Sequence, residues 1–138
     1  MAFWEKDAPG ALALLLLTDQ FPRNLYRGSA HAFASDAMAR AIAERALAHG
    51  FDRVTEPSLR PFFYLPFEHH EDAASQARAV ALFEQLALEA GDQKSLDYAR
   101  LHAGLIARFG RFPHRNIVLG RESTPEETAY IKQGGFAG

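Results

Sequence analysis

Residues 72–110, DAASQARAVALFEQLALEAGDQKSLDYARLHAGLIARFG, decide the fold. In the first half Ala73, Ala77, Val80, Phe83 and Ala87 recur at the spacing that lines one face of a helix, and Gly91 stops the run. Asp92 or Ser95 opens a second helix whose apolar face, Tyr98, Leu101, Leu105 and Phe109, continues to Gly110. Stripes of this kind on neighbouring helices predict antiparallel helical hairpins, two of them along the chain.

Upstream, Thr55 or Glu56 leads into Pro57 and a short aromatic helix holding Leu59, Phe62, Phe63 and Leu65, buried on most sides and ended or kinked around Pro66. Ser35 or Asp36 caps an Ala-rich helix carrying Met38, Ile42 and Ala46, which Gly50 stops after His49. At the start, Asp7 before Pro9 is an N-cap for an Ala/Leu helix that Pro22 terminates near Gln20. With Leu12 and Leu14 to Leu17 it is apolar nearly all round, so it is either central or meets a partner. Downstream, Arg111 to His114 form an irregular corner; Ser123 or Thr124 with Pro125 and Glu126 starts a last helix that ends by Gly134. Residues 1–133 are expected to make one α-helical domain, and residues 134–138 to fray.

Composition agrees. The chain has 138 residues, a one-domain length, with 25 Ala and 16 Leu against 11 Val, Ile and Thr together, too few for a sheet. The fold class is all-α. A net charge of −2 supplies no field toward nucleic acid or anionic lipid, and the absence of cysteine excludes disulfides, thiolate zinc sites and a Cys nucleophile. The apolar run Ala11 to Leu17 is too short to span a bilayer, and Glu5 and Asp7 stand where a signal peptide is positive. The expected protein is soluble, unexported and cytoplasmic.

Three clusters can carry chemistry. The corner after the first helix holds Asp19, Gln20, Arg23, Asn24 and Arg27; the corner after residue 107 holds Arg108, Arg111, His114, Arg115 and Asn116. Arginine supplies 12 of the 15 cationic side chains, and its planar fork suits carboxylate or phosphate, so two such corners meeting in space make an anion pocket. The structural alternative is that these cations satisfy helix C-termini and that an Asp19 to Arg115 bridge locks the corners together. The third cluster is Phe67-Glu68-His69-His70-Glu71-Asp72. Its histidines lack the i, i+4 spacing that lets two imidazoles grip one ion, so no metal is assigned, and no phosphate-loop or dinucleotide pattern calls for a cofactor. The aromatic run Phe62 to Phe67 has no interleaved Lys or Arg and reads as core, which rejects a nucleic-acid platform.

The segment Leu14 to Asn24, LLLLTDQFPRN, resembles the LDQFPRN signature of the bacterial family called domain of unknown function 924. Tyr64 to His69, YLPFEH, is similar to its YLPFEHSE signature, with His70 where Ser is usual, and Arg108 to Asn116, RFGRFPHRN, matches a third. The resemblance covers Trp4 to about Thr128. It implies a tetratricopeptide-like all-α fold without an established activity. Members usually carry a further helical portion before the position of Trp4, so the first helix is expected to expose apolar surface and to support a homodimer. The signatures are polar at Asp19, Gln20, Arg23, Asn24, Glu68, His69, Arg111, His114, Arg115 and Asn116, which points to a site. Three readings follow. In the first, Arg23, Arg111 and Arg115 clamp an anionic group of a peptide or small molecule while Asn24 and Asn116 orient it. In the second, a hydrolase, Glu68 orients His69 or acts as base, His114 is the acid and the arginines stabilise negative charge. In the third, the residues are a buried network joining the hairpins.

Overall fold

The two long helices end at left-handed glycines, Gly91 (φ 75°) and Gly110 (φ 74°), a conformation only glycine adopts without a Cβ penalty. The computed structural model describes residues 3–138. Its helices are α1 (Ala8–Leu15), α2 (Phe21–Leu25), α3 (Asp36–Ala48), α4 (Pro61–Glu68), α5 (Ala73–Ala90), α6 (Gln93–Phe109) and α7 (Pro125–Lys132), with short 3-10 turns between them and no strand among the described residues. Asp72 and Asp92 cap α5 and α6 by accepting from Ser75 N–H (2.9 Å) and Ser95 N–H (3.1 Å). Joined through Gly91 and Asp92 alone, α5 and α6 pack as the antiparallel hairpin the sequence predicts. No helix among the described residues is long and apolar enough to cross a membrane.

The main core draws Leu14 and Leu15 from α1, Ile42 and three alanines from α3, Phe63, Tyr64 and Phe67 from α4, Phe83 and Leu86 from α5 and Leu96 from α6. Alanines let the helix axes approach while the aromatic rings of α4 fill the space, Tyr64 meeting Phe83 edge-on with ring centroids 5.4 Å apart. The buried Tyr64 hydroxyl donates to Asp52 Oδ2 (2.7 Å) and accepts from Arg60, so the tyrosine is satisfied inside the core. Burial and the Asp52 carboxylate push its ionisation up to about 12. The helix α4 runs past Pro66 to Glu68 instead of ending at the proline.

Pro22 does not terminate the first helix either. A π-helical turn, Leu16–Gln20, joins α1 to α2, and the Phe21 N–H reaches back five residues to the Leu16 carbonyl. Proline has no N–H for the Thr18 carbonyl and would crowd it; the wider turn makes room, and the Ser35 hydroxyl donates to that carbonyl at 2.6 Å. Ser35 thus bonds across the fold and leaves α3 without a side-chain cap. Nor is the first helix covered all round: Ala11, Leu14 and Leu15 are buried, while Leu17, Phe21 and Leu25 form an exposed row.

A smaller cluster, Leu105, Ile106 and Phe112 with Phe109, Tyr130 and Phe136, holds the C-terminal third. Phe136, in the segment expected to fray, packs there and donates its N–H to the Tyr130 hydroxyl (2.9 Å). At the other end Gly10 lets the turn at Trp4–Lys6 fold back onto α1: a Cβ on Gly10 would lie 2.0 Å from the Trp4 carbonyl oxygen. Gly10→Ala is expected to cost about 1–3 kcal/mol and to shift the emission of Trp4, the one tryptophan. An unchanged emission maximum and melting temperature would contradict this contact.

Candidate functional site

The π turn aims Asp19 inward, because the extra residue rotates the following side chains relative to a regular helix. Asp19 is 1% exposed, and its carboxylate accepts from Gln20 Nε2 (2.8 Å), Arg23 Nη1 (3.0 Å) and His69 Nδ1 (2.8 Å). Burial alone would raise this carboxyl; His69 and Arg23 beside it outweigh that and hold it below the usual aspartate value. Arg23 also forks onto Asp36 at the start of α3 (2.8 and 3.0 Å). A carboxylate only accepts, so His69 donates from Nδ1, and its Nε2 has no protein partner and is not sealed from solvent.

The second corner comes to meet this one. Arg115, on the turn Pro113–Arg115, is 7% exposed and donates from Nη2 to the carbonyl of His69 (2.8 Å). Its guanidinium lies between the rings of Phe33 (4.4 Å) and Phe112 (4.7 Å). The carboxylate nearest to it, Glu71, is 3.8 Å away and is already bound by both Nη atoms of Arg121, and Arg115 Nε is buried without a partner. Burial and the neighbouring Arg23 draw Arg115 down to about 10, so it remains a cation at neutral pH. The bridge between Asp19 and Arg115 does not form; backbone and aromatic contacts join the corners instead.

Between the corners lies a cavity of about 330 Å3 walled by Gln20, Arg23, Asn24, Arg27, Phe33, His69, His102, His114, Arg115 and the segment Phe136 to Gly138. Among the described residues no aspartate or glutamate lines it. A wider hollow of about 540 Å3 beside Glu5, Arg45 and His49 has no comparable cluster, since its arginine is paired with Glu5 at 2.7 Å.

Glu68 lies outside this cavity, whereas His114 lines it. Glu68 is turned away from His69, toward His102, with Oε2 3.6 Å from Nδ1 and Oε1 buried without a partner. Burial, and then the Asp19 charge, push Glu68 up to about 8, so it is chiefly protonated at neutral pH. His102 donates from Nδ1 to the Tyr98 carbonyl (2.8 Å), and burial draws it down to about 4, which keeps it neutral. His114 is likewise neutral, at about 4, through burial and the adjacent Arg115, and its Nδ1 is unpartnered. Two neutral groups 3.6 Å apart describe this interior better than an ion pair, because burial outweighs their attraction.

Arg111 and Asn116 lie outside the cavity. Arg111 forks onto Glu127 (2.9 and 2.7 Å) and bonds the Glu122 carbonyl, and the fully buried Asn116 bonds Ser123, Glu127 and Arg121. Both tie the corner to the capping box of α7, where Thr124 and Glu127 exchange bonds. Glu71 does not serve the start of α5; it accepts from the Phe112 N–H at 2.6 Å and from Arg121. No group of three or more possible metal ligands occurs among the described residues. Sequence reasoning missed Phe33, in a short 3-10 turn, and Phe136, in the irregular C-terminal segment, neither of which carries periodicity.

A family model described as a bacterial protein of unknown function (DUF924) matches residues 1–135. The solved structure of ATU0120, a protein of unknown function from Agrobacterium tumefaciens, is 48% identical to this chain and superposes with a TM-score of 0.90, covering 95% of this chain and 72% of its own. No curated protein matches the sequence. The three polar signatures that build the cavity, the fold around them and a family model spanning nearly the whole chain agree, and the chain belongs to the DUF924 family.

Proposed function

We propose that this chain is a helical binding module that captures the anionic group of a peptide or small molecule in the cavity between the two corners. The observation that carries the reading is Arg115: a buried cation with one N–H unpartnered, and its nearest carboxylate 3.8 Å away and spoken for by Arg121. A guanidinium is costly to desolvate unless something offsets its charge, and a bound carboxylate or phosphate does so bidentately. Arg27 adds an exposed charge on the same wall, and the side-chain amides of Gln20 and Asn24 supply orienting donors. Compared with the clamp read from sequence, Arg23 and Arg115 remain, Arg27 joins them, and Arg111 and Asn116 serve the fold.

Thermal shift and calorimetry with phosphate, succinate and acetate at low salt test the reading. A ligand at a hundred times its Kd is expected to stabilise the wild type by about 2.7 kcal/mol. Arg115→Met keeps the packing volume between Phe33 and Phe112, so its own melting temperature stays near that of the wild type while the response to anions disappears. An Arg115→Met protein that still responds fully would remove the basis of the proposal.

A further inference from the structure

The pair formed by Asp19 and His69 has no use in simple anion capture. Asp19 is buried, shares Arg23 with Asp36, and accepts on the same Oδ1 from His69 Nδ1 at 2.8 Å. That bond fixes the tautomer in which Nε2 is a base, and the ring forms part of the cavity wall. The Arg115 guanidinium bonds the carbonyl of this same His69 at 2.8 Å, and both residues line the one cavity. A carboxylate orienting an imidazole from the Nδ1 side, with a cation in the wall of the same cavity, suits hydrolysis by a general base.

We infer that the cavity is a hydrolytic site in which His69, positioned by Asp19, activates water to cleave a carboxylic ester that carries a second, free anionic group. The inference rests on the anion-capture reading above, with the cationic wall holding the free group. In the step, His69 Nε2 takes a proton from water as the water oxygen bonds to the acyl carbon. The tetrahedral adduct then collapses with cleavage of the acyl C–O bond, and the proton passes from His69 to the departing alkoxide. Water is the only co-reactant, and acid and alcohol are the products. His69 is the catalytic residue and Asp19 a positioning residue; Glu68, the carboxylate adjacent in sequence, faces His102 and takes no part.

The test uses the 4-nitrophenyl hemiester of succinic acid, which joins a free carboxylate to a chromogenic leaving group, with succinate binding measured in parallel. The wild type is expected to release nitrophenolate well above the buffer rate. His69→Gln, whose amide can still donate to Asp19, is expected to bind succinate normally and to lose about 100- to 10,000-fold in kcat. Asp19→Asn is expected to lower kcat at unchanged KM, a split that a merely structural tie would not produce, and Arg115→Met to raise KM. Full activity in His69→Gln overturns the inference. So does a wild type that binds succinate yet releases no nitrophenolate above background, which leaves anion capture standing. Absence of both binding and release overturns the two readings together.

Discussion

Glu68→Gln is expected to stabilise the protein at pH 8 by roughly 3 to 4 kcal/mol and to leave it nearly unchanged below pH 4.5. Glu68 is about 8 in the fold against 4.5 for the ordinary glutamate, raised first by burial and then by Asp19. Between those values the folded chain keeps a proton that the unfolded chain releases, so stability falls as pH rises through the window. The amide cannot ionise, and the falling limb disappears. His102 and His114 act in the opposite sense on the acid side. Both are about 4 in the fold against 6.5 for the free imidazole, so the unfolded chain binds their protons first and stability falls as pH drops from 6.5 toward 4. The wild type is therefore expected to be most stable near pH 6.5. Denaturant unfolding of both proteins at pH 5, 6.5 and 8 checks this. A Glu68→Gln protein with the same slope as the wild type above pH 6.5 would show that Glu68 is ionised inside the fold and that the burial argument is mistaken.

Glu127→Ala is expected to release α7 at a cost of about 3 kcal/mol, roughly 10 °C in melting temperature. Glu127 is 2% exposed, accepts two bonds from Arg111 and one from Asn116, and closes the capping box with the Thr124 N–H. Those bonds hold its carboxyl down at about 2, so the pairing persists through most of the acid range. α7 buries no large apolar face of its own; Glu127 is its buried side chain among the described residues. Removing it loses the side-chain half of the capping box and the carboxylate that Arg111 and Asn116 share, leaving them only the Glu122 carbonyl and the Ser123 hydroxyl. Thr124→Ala, which loses only the cap, is expected to cost about 1 kcal/mol. Hydrogen exchange should show protection lost first over α7 and then at Phe136, which packs beside it on Tyr130 and in the cavity wall. If exchange in α7 is unchanged, the apolar contacts of Tyr130 hold the helix and the polar knot is secondary.

The same residues separate what is local from what is not. Asp72, Asp92 and Thr124 cap the helices they precede, and Gly91 and Gly110 end the helices they follow. Caps and stripes act within four residues, so period and punctuation in the sequence suffice for six of the seven helices, the long hairpin and the all-α class, while α2 beyond Pro22 escaped them. The polar corners were legible as clusters for the same reason. Their internal wiring was not. The carboxylate that holds His69 is Asp19, fifty positions away, and not the adjacent Glu68, because successive residues on α4 point in different directions. Pro22 is accommodated by Ser35, which bonds the Thr18 carbonyl from seventeen positions on and which no local rule could supply. Arg111 and Arg115 look alike in one signature, yet one meets Glu127 and the other lies between Phe33 and Phe112.

The sequence by itself thus determined that the chain forms helices, where the two long ones start and stop, and which polar residues gather at the corners, since those outcomes depend on interactions between near neighbours. Only the tertiary structure decided which cation stays under-matched, which imidazole gains a carboxylate and which glutamate loses its charge. Those outcomes depend on burial, and burial is set by packing between segments far apart in the chain.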